Sequence, residues 1–126
     1  MRRDRGGTAE RRGAWRFGRL AESACAWWLR LKGYRIVARG FRVPAGEIDI
    51  VARRGRTLAF VEVKARTGDG AWDALTPSQR RRIVRAAEAF LKARPAYAGL
   101  DLRFDLMVVG RRRRPRHLTN AWTADG

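Results

Sequence analysis

The chain has 126 residues, 45% hydrophobic and 33% charged, with one cysteine and a formal net charge of +17 at pH 7. That length and apolar content support a hydrophobic core without staples, which excludes a disordered chain and a cystine scaffold. No apolar run nears the ~18–20 residues a bilayer span requires, so a helical membrane protein is excluded as well.

The charge comes from 29 Lys and Arg against 12 Asp and Glu, a field that attracts polyanions, of which nucleic acid is the commonest in a cell. Lys32, Lys64 and Lys92 are the only lysines, so 29 − 3 = 26 of the basic residues are arginines. A GC-rich genome inflating arginine on solvated surfaces is the plainer alternative, and composition alone leaves both open.

Met1–Gly13 is rich in Arg and Gly with no apolar stretch behind it, and reads as a disordered basic tail rather than a secretory leader. Residues 14–126 read as one domain. The single Cys25 fits a reducing compartment, and a cytoplasmic location is expected. Apolar residues at Phe17, Leu20, Ala21, Ala24, Trp28 and Leu31 recur at three and four, which predicts an amphipathic helix from Phe17 to Lys32, stopped by Gly33. Strands are expected at Tyr34–Gly40, Glu47–Arg53 and Thr57–Lys64, the last two joined by a hairpin at Arg54-Gly55. Gly68, Asp69 and Gly70 mark the loop Thr67–Leu75. Thr76-Pro77-Ser78-Gln79 is a capping box with proline at the first helical position, so a second helix starts there and ends before Pro95. A fourth strand spans Leu102–Val109, and His117–Trp122 reads as an edge strand. The order α-β-β-β-α-β predicts an α/β fold, a mixed β-sheet flanked by helices.

The hairpin carries the chemistry. Side chains alternate along strands, so Glu47, Asp49 and Val51 share one face, and Leu58, Phe60, Glu62 and Lys64 share one on the next strand. A connection over Arg54–Thr57 pairs Arg53 with Leu58, and the same register sets Asp49 opposite Glu62. Opposed residues have Cβ atoms ~4.5–5.5 Å apart. Two carboxylates at that spacing in apolar strands repel and lose hydration, and a divalent cation would neutralise them. Oxygen ligands of this kind suit Mg²⁺ or Mn²⁺. Lys64, two residues beyond Glu62, points into the same space. A metal with a neighbouring ammonium is what phosphodiester hydrolysis requires. The plain alternative is an ion pair of Lys64 with Asp49 or Glu62 that closes the hairpin.

Gly46-Glu47-Ile48-Asp49-Ile50-Val51 and Phe60-Val61-Glu62-Val63-Lys64-Ala65-Arg66 resemble the bacterial UPF0102 family, also called the YraN family. The resemblance runs from Gly18 to about Trp122 and includes Leu20-Ala21-Glu22, Gly33-Tyr34 and Arg103-Phe104-Asp105. That family is similar to the PD-(D/E)xK nucleases, which include restriction enzymes and Holliday-junction resolvases. The resemblance implies a restriction-endonuclease-like core, metal ligation by Asp49 and Glu62, and a catalytic Lys64. It also implies a role in catalysis and metal binding for Glu22 of the first helix, which lies at the margin of the buried stripe beside Cys25 and Leu29. The plain alternative for Glu22 is a pair with Arg19. Ile48 replaces the proline of the superfamily's name.

Candidate nucleic-acid contacts are Arg66, Trp72, Gln79 and Arg80. Trp72 can stack on a base. Gln79 stands where many relatives carry lysine, although the capping box already explains it. Arg81, Arg82 and Arg85 line a groove or form a solvated face, and Arg111–Arg116 can grip phosphates. Glu47 is a weaker ligand candidate. Trp27 and Trp28 read as packing, Cys25 as core, and His117 as a lone structural histidine. The expected activity is a Mg²⁺- or Mn²⁺-dependent nuclease acting on DNA, with a homodimer conceivable because resolvases that cut paired strands work as dimers. The rival readings are a non-catalytic nucleic-acid-binding module and an adaptor in DNA processing.

Overall fold

A computed structural model describes residues 18–65, 75–110 and 114–124. Residues 18–31 form α1, followed by β1 (Arg35–Val43), β2 (Gly46–Arg54), β3 (Thr57–Ala65), α2 (Pro77–Ala93), β4 (Asp101–Val109) and β5 (Arg116–Trp122). The strands make one mixed sheet in the order β1-β2-β3-β4-β5, with β3 and β4 parallel and the other neighbours antiparallel. This is the α/β architecture expected from the element order, with the edge strand in place. The basic tail lies outside the described residues, and no helix among those described is long and apolar enough to cross a membrane.

The β2–β3 hairpin follows the expected register, with Arg53 opposite Leu58 and Arg54 opposite Thr57. Gly55 takes φ +59° in its two-residue turn, a conformation that carries no steric penalty without a Cβ. A parallel strand cannot follow β3 through a tight turn, so the chain crosses over through α2. The capping box forms as the sequence indicates. Gln79 N donates to Thr76 Oγ1 at 3.2 Å, and Thr76 N donates to Gln79 Oε1 at 3.0 Å. Helix α2 closes at Arg94, whose N–H donates to Phe90 O, and Pro95 opens a short 3₁₀ turn.

Each face of the sheet has its own core. On one, Ile83, Val84, Ala87 and Phe90 of α2 pack on Val51, Leu58, Phe60, Phe104 and Leu106. On the other, Ala21, Cys25, Ala26 and Leu29 of α1 pack on Ile50, Ala52, Ala59, Val61 and Met107. The apolar stripe expected for α1 is therefore displaced. Leu20 and Leu31 are 70% and 78% exposed, and Trp27, expected to pack, is 65% exposed with the Arg30 guanidinium 5.0 Å from its ring. The small side chains of Ala52 and Ala59 favour a close helix, and the small residues Ala21, Cys25 and Ala26 allow that approach. Cys25 is core, as expected.

Candidate active site

Antiparallel pairing of β2 with β3 stops at Ile50–Val61, although both strands continue. Beyond that point β2 stays with β1 as far as Gly46, while β3 stays with β4 as far as Ala65. The sheet thus forks, and Asp49 and Glu62 are the first residues past the junction. The Asp49 carboxylate occupies the opening, where Oδ2 accepts the Val63 N–H at 2.8 Å and replaces the missing backbone acceptor. Simple alternation breaks here too. Ile48 joins the core under α2, whereas Ile50, two residues on, joins the core under α1. Asp49 consequently lines clefts on both faces: one with Glu22, Ser23 and Arg39, the other with Glu47, Glu62, Gln79 and Arg82.

The two carboxyls are a coupled pair. Burial, then the charge of Asp49, pushes Glu62 up to about 8, and burial raises Asp49 to about 6. They share a hydrogen bond that favours protonated Glu62 and ionised Asp49. Lys64 Nζ lies 3.4 Å from Glu62 Oε1, the two side chains being 16% and 17% exposed. The ion pair allowed as the plain alternative is therefore present, beside the two carboxyls.

These values set a pH dependence. A carboxyl raised on folding favours the folded state while protonated, so its contribution is complete below the unfolded value and lost as pH rises through the folded one. For Glu62 that interval runs from 4.5 to about 8, and for Asp49 from 3.8 to about 6. In chelating buffer the melting temperature is expected to fall as pH rises from 5 to 8, as followed by circular dichroism. A flat or rising profile would contradict the raised pair.

Glu22 lines the same cleft as Asp49 and is paired there with a residue of β1. Its Oε1 accepts from Arg39 Nε at 3.2 Å, and a second Arg39 nitrogen donates to Ser23 Oγ at 3.1 Å. Arg39 of β1 is thus a partner of Glu22 that the sequence did not single out. Among the described residues no group of three or more His, Cys, Asp or Glu side chains is placed to hold a metal ion. Glu22 still adds negative potential at Asp49. Glu47 is exposed and pairs with Arg42 at 3.4 Å. Gln79 serves the cap and lines the cleft at Glu62, while Arg80 is half-buried and Arg81 and Arg85 are exposed. Arg66, Trp72 and Arg111–Arg113 lie outside the described residues, and Arg114 and Arg116 are exposed.

Of the arginines at the start of α2, Arg82 lines the Glu62 cleft, singled out from its neighbours only by the phase of α2. One participant escaped sequence reading. Gly46 lies against the α2 backbone, where an added Cβ would come within 2.3 Å of Arg82 O. A glycine before Glu-Ile-Asp signals such a close approach, but not which element approaches.

The model of the uncharacterised protein family UPF0102 matches residues 21–109. A UPF0102 protein of Parvibaculum lavamentivorans is 57% identical over 110 residues, covering 86% of this chain and 83% of the relative. The UPF0102 protein amb4503 of Paramagnetospirillum magneticum is 53% identical over 117 residues, covering 89% and 91%. A UPF0102 protein of Rhodopseudomonas palustris is 53% identical over 116 residues, covering 91% and 86%. The motifs at the fork, Gly-Glu-Ile-Asp and Val-Glu-Val-Lys, fall inside the matched segment, and the chain belongs to the UPF0102 family.

Proposed function

We propose that this chain is a Mg²⁺- or Mn²⁺-dependent nuclease that hydrolyses phosphodiester bonds in DNA. The observation that carries the proposal is the fork itself, where two half-buried carboxyls meet with an ammonium 3.4 Å from one of them. Asp49 and Glu62 offer hard oxygen donors, and partial burial together with their mutual repulsion, which raise both carboxyls, are what a bound cation would offset. Two protein carboxylates are enough for Mg²⁺, which retains waters and takes further oxygens from a phosphate. The bound ion would polarise the phosphate and acidify a water.

The chain's own groups do the rest. The Val63 N–H fixes the Asp49 carboxylate, so the donor is oriented before anything binds. Lys64 stabilises negative charge developing on the phosphate. Arg82 at the cleft and the overall charge of +17 hold the DNA backbone without reading sequence.

The test is incubation of the purified chain with linear, branched and single-stranded DNA in Mg²⁺ or Mn²⁺, beside Lys64→Ala. Cleavage that EDTA stops and that falls about 10²–10³-fold in the variant is expected, the usual effect of losing one charge-stabilising group. Absence of cleavage on every substrate would overturn the proposal. A second reading, a non-catalytic nucleic-acid-binding module, draws support from the Lys64–Glu62 pair, which satisfies both groups without an ion. Binding unchanged by EDTA and by Glu62→Ala, with no cleavage, would favour it.

A further inference from the structure

A second polar cluster lies toward the far end of α1 from Glu22. Asp105 is fully buried, and its carboxylate accepts from Arg103 at 2.9 and 2.8 Å and from Asn120 N at 3.0 Å. His117 Nε2 lies 2.7 Å from Asp105 Oδ2, and His117 Nδ1 lies 2.6 Å from Lys32 Nζ. An ammonium only donates, so Nδ1 is the acceptor, and Nε2 carries the hydrogen given to Asp105. The imidazole side chain is 3% exposed, while Lys32 is exposed to solvent. A buried carboxylate orienting a buried histidine, whose other nitrogen meets an accessible amine, is a nucleophile–base–orienter relay.

We propose that Lys32 is an activated nucleophile and the preferred site on this chain for acylation by small acyl phosphates or thioesters. The Lys32 nitrogen attacks the acyl carbonyl, the new N–C bond forms, and the C–O bond to phosphate (or the C–S bond to thiolate) breaks. Of the three ammonium hydrogens, one stays in the amide, one leaves with the phosphate or thiol, and one passes through His117 to solvent. Asp105 stabilises the transient imidazolium. The charged or titratable groups facing Lys32 are Arg54 from β2, Arg103 and Asp105 from β4, and His117 from β5. Burial, then Arg54, lowers the Lys32 value, which enlarges the neutral and reactive fraction. Acylation would remove the charge and leave a single neutral amide N–H in place of the ammonium that meets His117, loosening the join between α1 and β5. This inference is independent of the nuclease proposal.

The chain has three lysines, which makes the test clean. The full chain is treated with acetyl phosphate between pH 6.5 and 9.5, and acetylation at each lysine is followed by mass spectrometry. Lys92, exposed in the last turn of α2, is the internal reference. Lys32 is expected to react about tenfold faster than Lys92 at pH 7.5, a modest share of the ~10²–10⁴-fold that positioned general bases supply. Its rate should also level off at lower pH. His117→Gln should bring Lys32 down to the Lys92 rate while leaving Lys92 unchanged. Should His117→Gln fail to fold, the two pH profiles in the unsubstituted chain decide alone. Equal rates and coincident profiles for Lys32 and Lys92 would overturn the proposal.

Discussion

Glu62→Gln is expected to abolish metal-dependent DNA cleavage, by at least about 10³-fold, and at the same time to raise the melting temperature in chelating buffer at pH 8. The two effects share a cause. Burial and Asp49 push Glu62 up to about 8, so holding it ionised in the fork costs stability. Glutamine keeps the shape, stays neutral at every pH, and its amide can donate to Asp49 as the protonated acid does. Each unit of raised pKa corresponds to about 1.4 kcal/mol, so a gain of roughly 1–3 kcal/mol is reasonable for a side chain still partly open to water. Activity falls because the amide supplies no charge to hold a cation. Cleavage assays and thermal melts on one preparation test both effects. Loss of activity with loss of stability would mean that Glu62 is a structural partner of Lys64 and little more. Retained activity would remove it from the site.

The opposite balance is expected at Asp105. Asp105→Ala should lower stability by about 3–5 kcal/mol, the usual result of stripping one partner from a buried ion pair. In a chain of this size that corresponds to a fall of roughly 10–20 °C in melting temperature. Burial alone would raise this carboxyl, but hydrogen bonds from His117, Arg103 and the Asn120 N–H outweigh it and hold it below the usual carboxylate range. Its contribution is present above 3.8 and lost as pH drops through the lowered value, so it does not offset the trend set by Glu62 between 4.5 and 8. The alanine strips the carboxylate from Arg103 and from a nearly buried His117, leaving the one with Tyr34 and the other with Lys32, while sparing the fork. Thermal melts decide the matter, and a fall under 1 kcal/mol would show that water replaces the network at no cost.

Local chemistry made much of this legible from the residues. The capping box at Thr76–Gln79, the turn at Gly55 and the alternation in Leu58–Lys64 each depend on neighbours in the chain, and each formed where expected. The register of Arg53 with Leu58 followed from hairpin length alone, although the ladder ends at Ile50–Val61, one pair short of Asp49 and Glu62. Long-range choices stayed hidden. Helix α1 has two apolar sides, and periodicity cannot tell which one the sheet accepts, so Leu20 and Leu31 were expected inside. The pair of Glu22 with Arg39 depends on where β1 lies, which nothing near Glu22 in the chain reveals. His117 looked solitary because its partners, Asp105 and Lys32, lie 12 and 85 residues away. Splitting of the sheet beyond Ile50–Val61 has no local signature, since both strands remain paired on their outer sides.

The parallel contact of β3 with β4 also orders assembly. β1, β2 and β3 are joined by two short turns, so they can zip together while the chain is still emerging, at little entropic cost. β4 must wait until residues 66–100 have been made and α2 has swung across. The ladder from Arg54–Thr57 to Ile50–Val61 needs nothing beyond this hairpin, whereas the stretch of β3 that carries Glu62 is held by β4. Asp105 has Arg103 on its own strand but completes its set of donors only with His117 and Asn120 of β5. Both acidic centres therefore depend for their final form on the strands that the chain supplies last.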